Sequence, residues 1–251
     1  MNHKNKHPTI MAGAGLAALL FLPSLGFAQS GLGSAASYAV LAGSTITNTG
    51  ATTINGDVGV SPGTAITGLP VGQPTGGTVH AGDAVAAQAQ ADLTTAYDFL
   101  AGMACNVTMS GVDLGGKTLT PGVYCFSSSA QLTGILNLDA QGDTAAVFVF
   151  QIASTLTVAD GSSVSLSNGA QGRHVWWQVG SSATLGISSM MLGNVLAHTS
   201  ITLNTSARLA GRALARGGAV TMDTNSIAVP GDTGVVPTFR TTWGMIKLQY
   251  R

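Results

Sequence analysis

A repeat of about 18 residues constrains this chain more than any other feature. The segment from Thr184-Leu185 to Ala197 superposes on Thr202-Leu203 to Ala215 at a constant offset of 18, which carries Gly193-Asn194-Val195-Leu196-Ala197 onto Gly211-Arg212-Ala213-Leu214-Ala215. A further 19 residues carry Thr202-Leu203 onto Thr221-Met222. At an offset of 155 the N-terminal part joins the same frame: Thr45-Ile46-Thr47 falls on Ser200-Ile201-Thr202, and Gly56-Asp57-Val58-Gly59-Val60 falls on Gly211 to Ala215. A unit this short cannot bury an apolar face alone, so successive units must stack. Each unit holds three short strands between turn residues. The first strand is represented by Val147–Ile152 and Val175–Val179, the second by Thr155–Thr157, Ala183–Leu185, Ser200–Leu203 and Ala219–Met222. The third is represented by Val164–Leu166, Met190–Leu192, Arg208–Ala210 and Ile227–Val229. Three strands per turn define a mainly β fold, a parallel β-helix of triangular cross-section whose coils stack about 4.8 Å apart. A sandwich or jelly roll would not need such a residue-level repeat.

One segment departs from the pattern. Residues 83–102, DAVAAQAQADLTTAYDFLAG, have no interior Gly or Pro, with Asp83 suited to an N-cap and Gly102 to a stop. Ala86, Ala89, Leu93, Ala96, Tyr97 and Leu100 keep the three-four spacing of one buried stripe. A helix of this length, roughly 27 Å, can lie along several coils. The first strand face is its place, because Val147–Ile152 and Val175–Val179 are apolar on both sides and must be covered on both.

The N-terminus has the pattern of a secretory leader: a basic start with Lys4 and Lys6, an apolar run from Ile10 to Phe27, and Gly26-Phe27-Ala28 as a small-x-small cleavage site. The expected cut follows Ala28. A retained membrane anchor is the alternative, disfavoured by the Gly, Ala and Pro that dilute the apolar run. The expected organisation is a signal peptide 1–28 and a single domain 29–251, with a tail at about 231–251, secreted to the extracellular side. All acidic residues are Asp, and charged residues make up only 8% of the chain, against roughly 25% in an ordinary globular domain. With no basic excess, a nucleic-acid partner is not expected. Cys105 and Cys125 form an even pair in an exported chain, which points to a disulfide, with two buried free thiols as the alternative. No histidine lies near them in sequence, and no metal or cofactor is expected.

The second strand carries the functional signal. Its middle, inward position is Ile46, Ile66, Leu132, Leu156, Ala183, Ile201 and Val220. The residue after each is Thr47, Thr67, Thr133, Thr157, Thr184, Thr202 and Thr221. The residue before each is Thr45, Ala65, Gln131, Thr155, Ser182, Ser200 and Ala219. Neither outward column contains a charge. Threonine is β-branched and favours strands anyway, so a well-behaved solvated surface is the plain alternative. Against it, an ordinary solvated face includes Lys, Asp or Asn. Two outward columns spaced about 6.7 Å along the strand and 4.8 Å between strands form a stiff grid of methyls and hydroxyls. Such a lattice suits ordered water.

The chain resembles the secreted microbial ice-binding proteins. The resemblance runs through YAVLAGSTITNTGATTINGDVGVSPGTAITG (38–68), GKTLTPGVYCF (116–126), LDAQGDTAAVFVFQIASTLTVADGSSVSL (138–166), VWWQVGSSATLG (175–186) and NVLAHTSITLNTSARLAGRALARGGAVTMD (194–223). It implies a discontinuous right-handed β-helix with a long helix alongside, and an ice-crystal surface as partner, met by one flat face. It also implies that Cys105 and Cys125 pair near a capping segment. The T-A/G-x-T/N motif of some members fits Thr49-Gly50-Ala51-Thr52, Thr64-Ala65-Ile66-Thr67 and Thr75-Gly76-Gly77-Thr78. The expected ice-contacting set is Thr45, Thr47, Thr67, Thr133, Thr155, Thr157, Ser182, Thr184, Ser200, Thr202, Ala219 and Thr221. A monomer without a membrane partner is expected.

Two rival classes remain. A polysaccharide-lyase-like enzyme needs clustered carboxylates and a base, but His80, His174 and His198 are scattered, and Asp57 with Arg212 is better explained as a structural ion pair. No enzyme is expected. A secreted adhesive or carbohydrate-binding solenoid would need exposed aromatics, whereas Trp176-Trp177 falls on the face assigned to the helix. Arg208, Arg212 and Arg216 mimic a helical stripe, but the repeat places them on strands and turns.

Overall fold

The computed structural model describes residues 31–230 and Met1. The expected cleavage site and the C-terminal tail lie outside the described residues. The strands form three parallel faces of a solenoid. The first face runs, in stacking order, Val107–Thr108, Gly122–Phe126, Phe148–Ile152, Val175–Val179, Met190–Ala197, Arg208–Ala215, Tyr38–Ala42, Asp57–Val60 and Val79–Ala81. The second runs Ala130–Leu132, Leu156–Val158, Ala183–Leu185, Ile201–Leu203, Val220–Asp223, Thr45–Thr49 and Ala65–Thr67. The third joins Thr118–Leu119, Ile135–Asp139 and Ser163–Ser167 to the front halves of Met190–Ala197 and Arg208–Ala215, then Ser226–Ala228 and Thr53–Asn55.

The stacking is discontinuous. Thr45–Thr49 pairs with Val220–Asp223 on one side and Ala65–Thr67 on the other, so the first coil covers the edge left by the last. Tyr38–Ala42 likewise lies between Arg208–Ala215 and Asp57–Val60. The 18-residue offset is the true coil register, with Gly193 beside Gly211 and Thr184 beside Thr202. At this corner the two long strands bend from the third face to the first. Gly193 has φ +105, and a Cβ on Gly211 would sit 1.8 Å from the Gly193 carbonyl oxygen. Any side chain there would force the coils apart.

Inside the solenoid, alternate residues of every strand interlock. Tyr124, Phe150 and Trp177 stack on successive coils, with ring centroids 5.5 Å and 4.0 Å apart. The indole N–H of Trp177 donates to Leu192 O at 3.0 Å, so its polar atom is satisfied without leaving the core.

The helix spans Ala84–Ala101, and the side chain of Asp83 caps it by accepting from Ala86 N. Its buried residues are Ala86, Ala89, Leu93, Ala96, Tyr97 and Leu100, the stripe its sequence spacing defines. That stripe packs on the outer side of the first face, against Leu41, Val123, Val149, Leu196 and Leu214. Polar ties fix its position: Tyr97 donates to Val179 O at 3.1 Å and Gln90 Nε2 to Ala215 O at 3.1 Å. Arg216 pairs with Asp98 at 3.1 Å and lies 4.5 Å over the Tyr97 ring, so this arginine serves the helix. Leu93 is fully buried. Leu93→Ala should therefore cost about 2–5 kcal/mol, read as a lower denaturant midpoint.

Cys105 and Cys125 form a disulfide with Cα atoms 6.0 Å apart, joining the segment after the helix to the first face. On the chain-entropy view, closing that loop contributes about 3 kcal/mol. Reduction should lower the midpoint by a corresponding amount.

Candidate ice-contacting face

With the first face under the helix, two faces remain. The third carries Asp139 and Arg208, and the short turn Gly172–His174 lies over part of it, held where Asn194 Nδ2 donates to Arg173 O. Leu192 and Ala210, on the two strands that turn approaches, are buried. The second face has no such cover among the described residues.

Its register is unbroken across seven strands. Gln131, Thr157, Thr184, Thr202, Thr221, Thr47 and Thr67 lie side by side in one outward column. Six consecutive threonines span five gaps, about 24 Å. Beneath them Leu156, Ala183, Ile201, Val220 and Ile46 are buried, which fixes the column's outward direction. Thr133 is not in the column, contrary to the sequence expectation. Ala130, not Leu132, pairs with Leu156, so Gln131 takes the outward place and Thr133 falls two residues beyond. In Ala130-Gln131-Leu132-Thr133 both Ala130 and Leu132 point inward and are buried. A shift of two residues leaves the alternation intact, so the pattern alone could not fix this register.

The flanking column changes in the same way. Continuing the register, it is Ser129, Thr155, Ser182, Ser200, Ala219, Thr45 and Ala65, with Ser129 in the place the sequence assigned to Gln131. The two columns use their hydroxyls differently. Thr155 Oγ1 donates to Ser129 Oγ at 2.8 Å. Ser182 Oγ accepts from Ser200 N at 3.3 Å, and Ser200 Oγ from Ala219 N at 3.2 Å. These two serines supply partners for backbone donors at the coil corners, where an orphan N–H would be costly. In the threonine column, by contrast, no hydroxyl has a hydrogen-bond partner among the described residues. Stacked threonines do not satisfy one another here, and their hydroxyls are left to water.

The face ends at Asp223, opposite Thr49 in the next outward column. The Thr205 and Thr224 hydroxyls on its carboxylate hold it below the usual carboxylate range. Of the three T-A/G-x-T motifs, only Thr67 reaches the threonine column. Thr52 is buried and accepts from Asn225 N, Thr75 donates to Ile54 O, and Thr78 donates to Asp57.

Asp57 and Arg212 are separated by the strand Tyr38–Ala42. Arg212 donates to Ala36 O and Asn194 Oδ1, while Asp57 accepts from Thr78. A chain that sequence reading missed does form nearby: Thr78 Oγ1 lies 2.8 Å from His80 Nε2, and His80 Nδ1 lies 2.8 Å from Asp83 Oδ2. Asp83 is also the helix cap, so this chain ties the edge strand Val79–Ala81 to the helix start. Its spacing of two and three residues was the available signal.

Neither column of the second face contains a titratable group, so its chemistry should not depend on pH. Stability should. The Ala86 N–H and His80 lower the pKa of Asp83; Ser34's hydroxyl and N–H do so for Asp92, and the Gln141 N–H and Asn168 amide for Asp139. Depressed carboxylates stabilise the fold above the ordinary value of 3.8, and that contribution is lost as pH falls through their lower folded values. At the other extreme, burial first and then the charges of Asp57 and Asp83 push the Tyr38 hydroxyl up to about 12. Its contribution is present below the ordinary 10.0 and lost as pH rises toward 12. Melting temperature against pH should show a neutral plateau falling off on both sides.

The fold is a β-solenoid with one long helix alongside, and its second face bears hydroxyls in two uncharged columns. The ice-binding-like family model matches residues 40–228, and the chain belongs to that family. It is 54% identical over 212 residues to an ice-binding protein of Nostoc sp. (strain HG1), covering 82% of this chain and 78% of that protein. Among solved structures, an ice-binding protein from an Antarctic biological consortium superposes with TM-score 0.77 at 51% identity, over 80% of this chain and 91% of that one. The ice-binding protein of the Antarctic ascomycete Antarctomyces psychrotrophicus gives TM-score 0.77 at 44% identity, over 80% of this chain and 98% of that one.

Proposed function

We propose that this protein binds ice through the second face and so slows ice growth and recrystallisation. The observation that carries this reading is the column Thr157, Thr184, Thr202, Thr221, Thr47 and Thr67, six hydroxyls in register with no partner among the described residues. Each threonine has χ1 restricted by its β-branch, and all but Thr67, on the edge strand, have their backbone held between two neighbouring coils. The face is therefore ordered before it meets ice, and little entropy remains to be lost on adsorption. Methyl groups displace loosely held water, while free hydroxyls and the exposed backbone pattern hold water at a fixed repeat. Thr45 and Thr155 extend the grid sideways, and Ser182 and Ser200 keep the coils in line beneath it.

In this reading the protein is a binding protein rather than an enzyme, acts as a monomer, and works outside the cell after cleavage behind Ala28. Family membership, with relatives and solved structures named as ice-binding proteins, supports ice as the ligand. Thermal hysteresis and recrystallisation assays on the purified mature chain test it directly. Ice that grows and coarsens as in buffer alone would refute the reading. Activity should also stay constant across the neutral plateau of stability, since no titratable group lies in either column.

A further inference from the structure

A cavity of about 390 Å³ opens where the C-terminal end of the helix meets the first face, away from the threonine column. Its walls include Gln178, Gln151, Thr108, Ser110, Ser127 and Ala153. This volume is within the range of small-molecule sites.

The lining has a definite chemistry. The outward column of the first face runs Cys125, Gln151, Gln178, Leu196 and Leu214, changing from apolar to carboxamide where the helix ends. The Gln151 amide is committed, donating to Leu100 O at 2.7 Å and Met103 O at 2.9 Å, which closes the helix C-terminus. Gln178 is only 6% exposed, and its one side-chain partner among the described residues is the Tyr97 hydroxyl. Such a buried carboxamide normally fills its remaining hydrogen-bond capacity. Across the cavity, Ser110 and Ser127 hydroxyls pair at 2.8 Å, which orients a small polar wall. No charged side chain lines the space. A charged ligand would therefore find no opposite charge to pair with in the lining.

We propose that this cavity is a binding site for a small, uncharged polyhydroxy compound of the glycerol or monosaccharide class. Gln178 would meet one hydroxyl with its free carboxamide oxygen, and Thr108 with the Ser110–Ser127 pair would meet others. The shallow walls, largely apolar with a few convergent hydroxyl and carboxamide groups, correspond to weak binding, with a dissociation constant on the order of 1–10 mM. The site stands apart from the second face, so it does not rest on the ice reading.

Glycerol and glucose titrations of the isotopically labelled mature chain, read through the side-chain amide resonances of Gln151 and Gln178, test the proposal. Saturable shifts are expected with at least one of the two probes. In Gln178→Leu, read at Gln151, and in Thr108→Val, the affinity should fall by roughly tenfold, one decade on the binding scale. Thr108 lies at the exposed rim, so Thr108→Val decides the matter if Gln178→Leu does not fold. Purely linear drift with both compounds, or saturable shifts of equal affinity in the wild type and the folded variants, would overturn it.

Discussion

Thr202→Tyr should cut ice affinity by roughly tenfold or more, about 1.4 kcal/mol, while leaving the fold intact. Thr202 sits at the third of six threonine positions, with Thr184 on one side and Thr221 on the other. It is half-buried in its row, so a tyrosine ring cannot tuck beneath its neighbours and must stand out from the face. The ring would hold the surface away from ice over adjacent coils spaced about 4.8 Å apart, and dispersion contacts fall off steeply over a gap of that kind. Thr184→Tyr should act similarly. Thermal hysteresis measured beside a melting curve separates lost contact from lost fold. If both variants keep full activity at unchanged stability, the second face is not the ice-contacting surface. Gln131→Thr extends the column by one coil and should raise activity modestly. Thr133→Ala should change little, because Thr133 lies two residues outside the column.

Trp177→Ala should cost about 3–5 kcal/mol of stability, the largest single-residue effect expected in the core. Trp177 is fully buried and stacks on Phe150 at 4.0 Å with the planes 8° apart. Removing the indole leaves a large void between coils whose backbone hydrogen bonds keep them from collapsing into it. It also leaves Leu192 O without its donor. A loss of this size is a large share of the roughly 5–15 kcal/mol that holds a typical domain together. Chemical denaturation followed by far-ultraviolet circular dichroism would measure it. Trp177→Phe keeps the stack and should recover more than half of the loss; a Trp177→Ala midpoint near that of the wild type would mean the coils close around the gap.

Much of this was legible in the chain because a solenoid repeats its instructions. The 18-residue offset, the helix stripe from Ala86 to Leu100, and the apolar column beneath Thr157, Thr184, Thr202 and Thr221 are all local patterns, and each appears in the fold. Stacking order was less legible. Every coil presents the same alternation at its edge, so nothing local states that Thr47 lies beside Thr221 rather than beside a sequence neighbour. The use of the hydroxyls was also hidden, since a serine bound to a backbone N–H and a threonine free for water have the same alternation in sequence.

By itself, then, the sequence determined the coil, the side each residue faces, and the uncharged threonine face, because the period of two follows from strand geometry and the 18-residue offset is written directly into the coils of Thr184–Ala197 and Thr202–Ala215. Only the tertiary structure decided which coils are neighbours, that Gln131 rather than Thr133 ends the threonine column, and which face stays uncovered. Those depend on long-range pairing: a strand shifted by two residues, or a coil stacked on a different edge, satisfies the same local pattern, and only the fit of whole coils, helix and corners selects one arrangement.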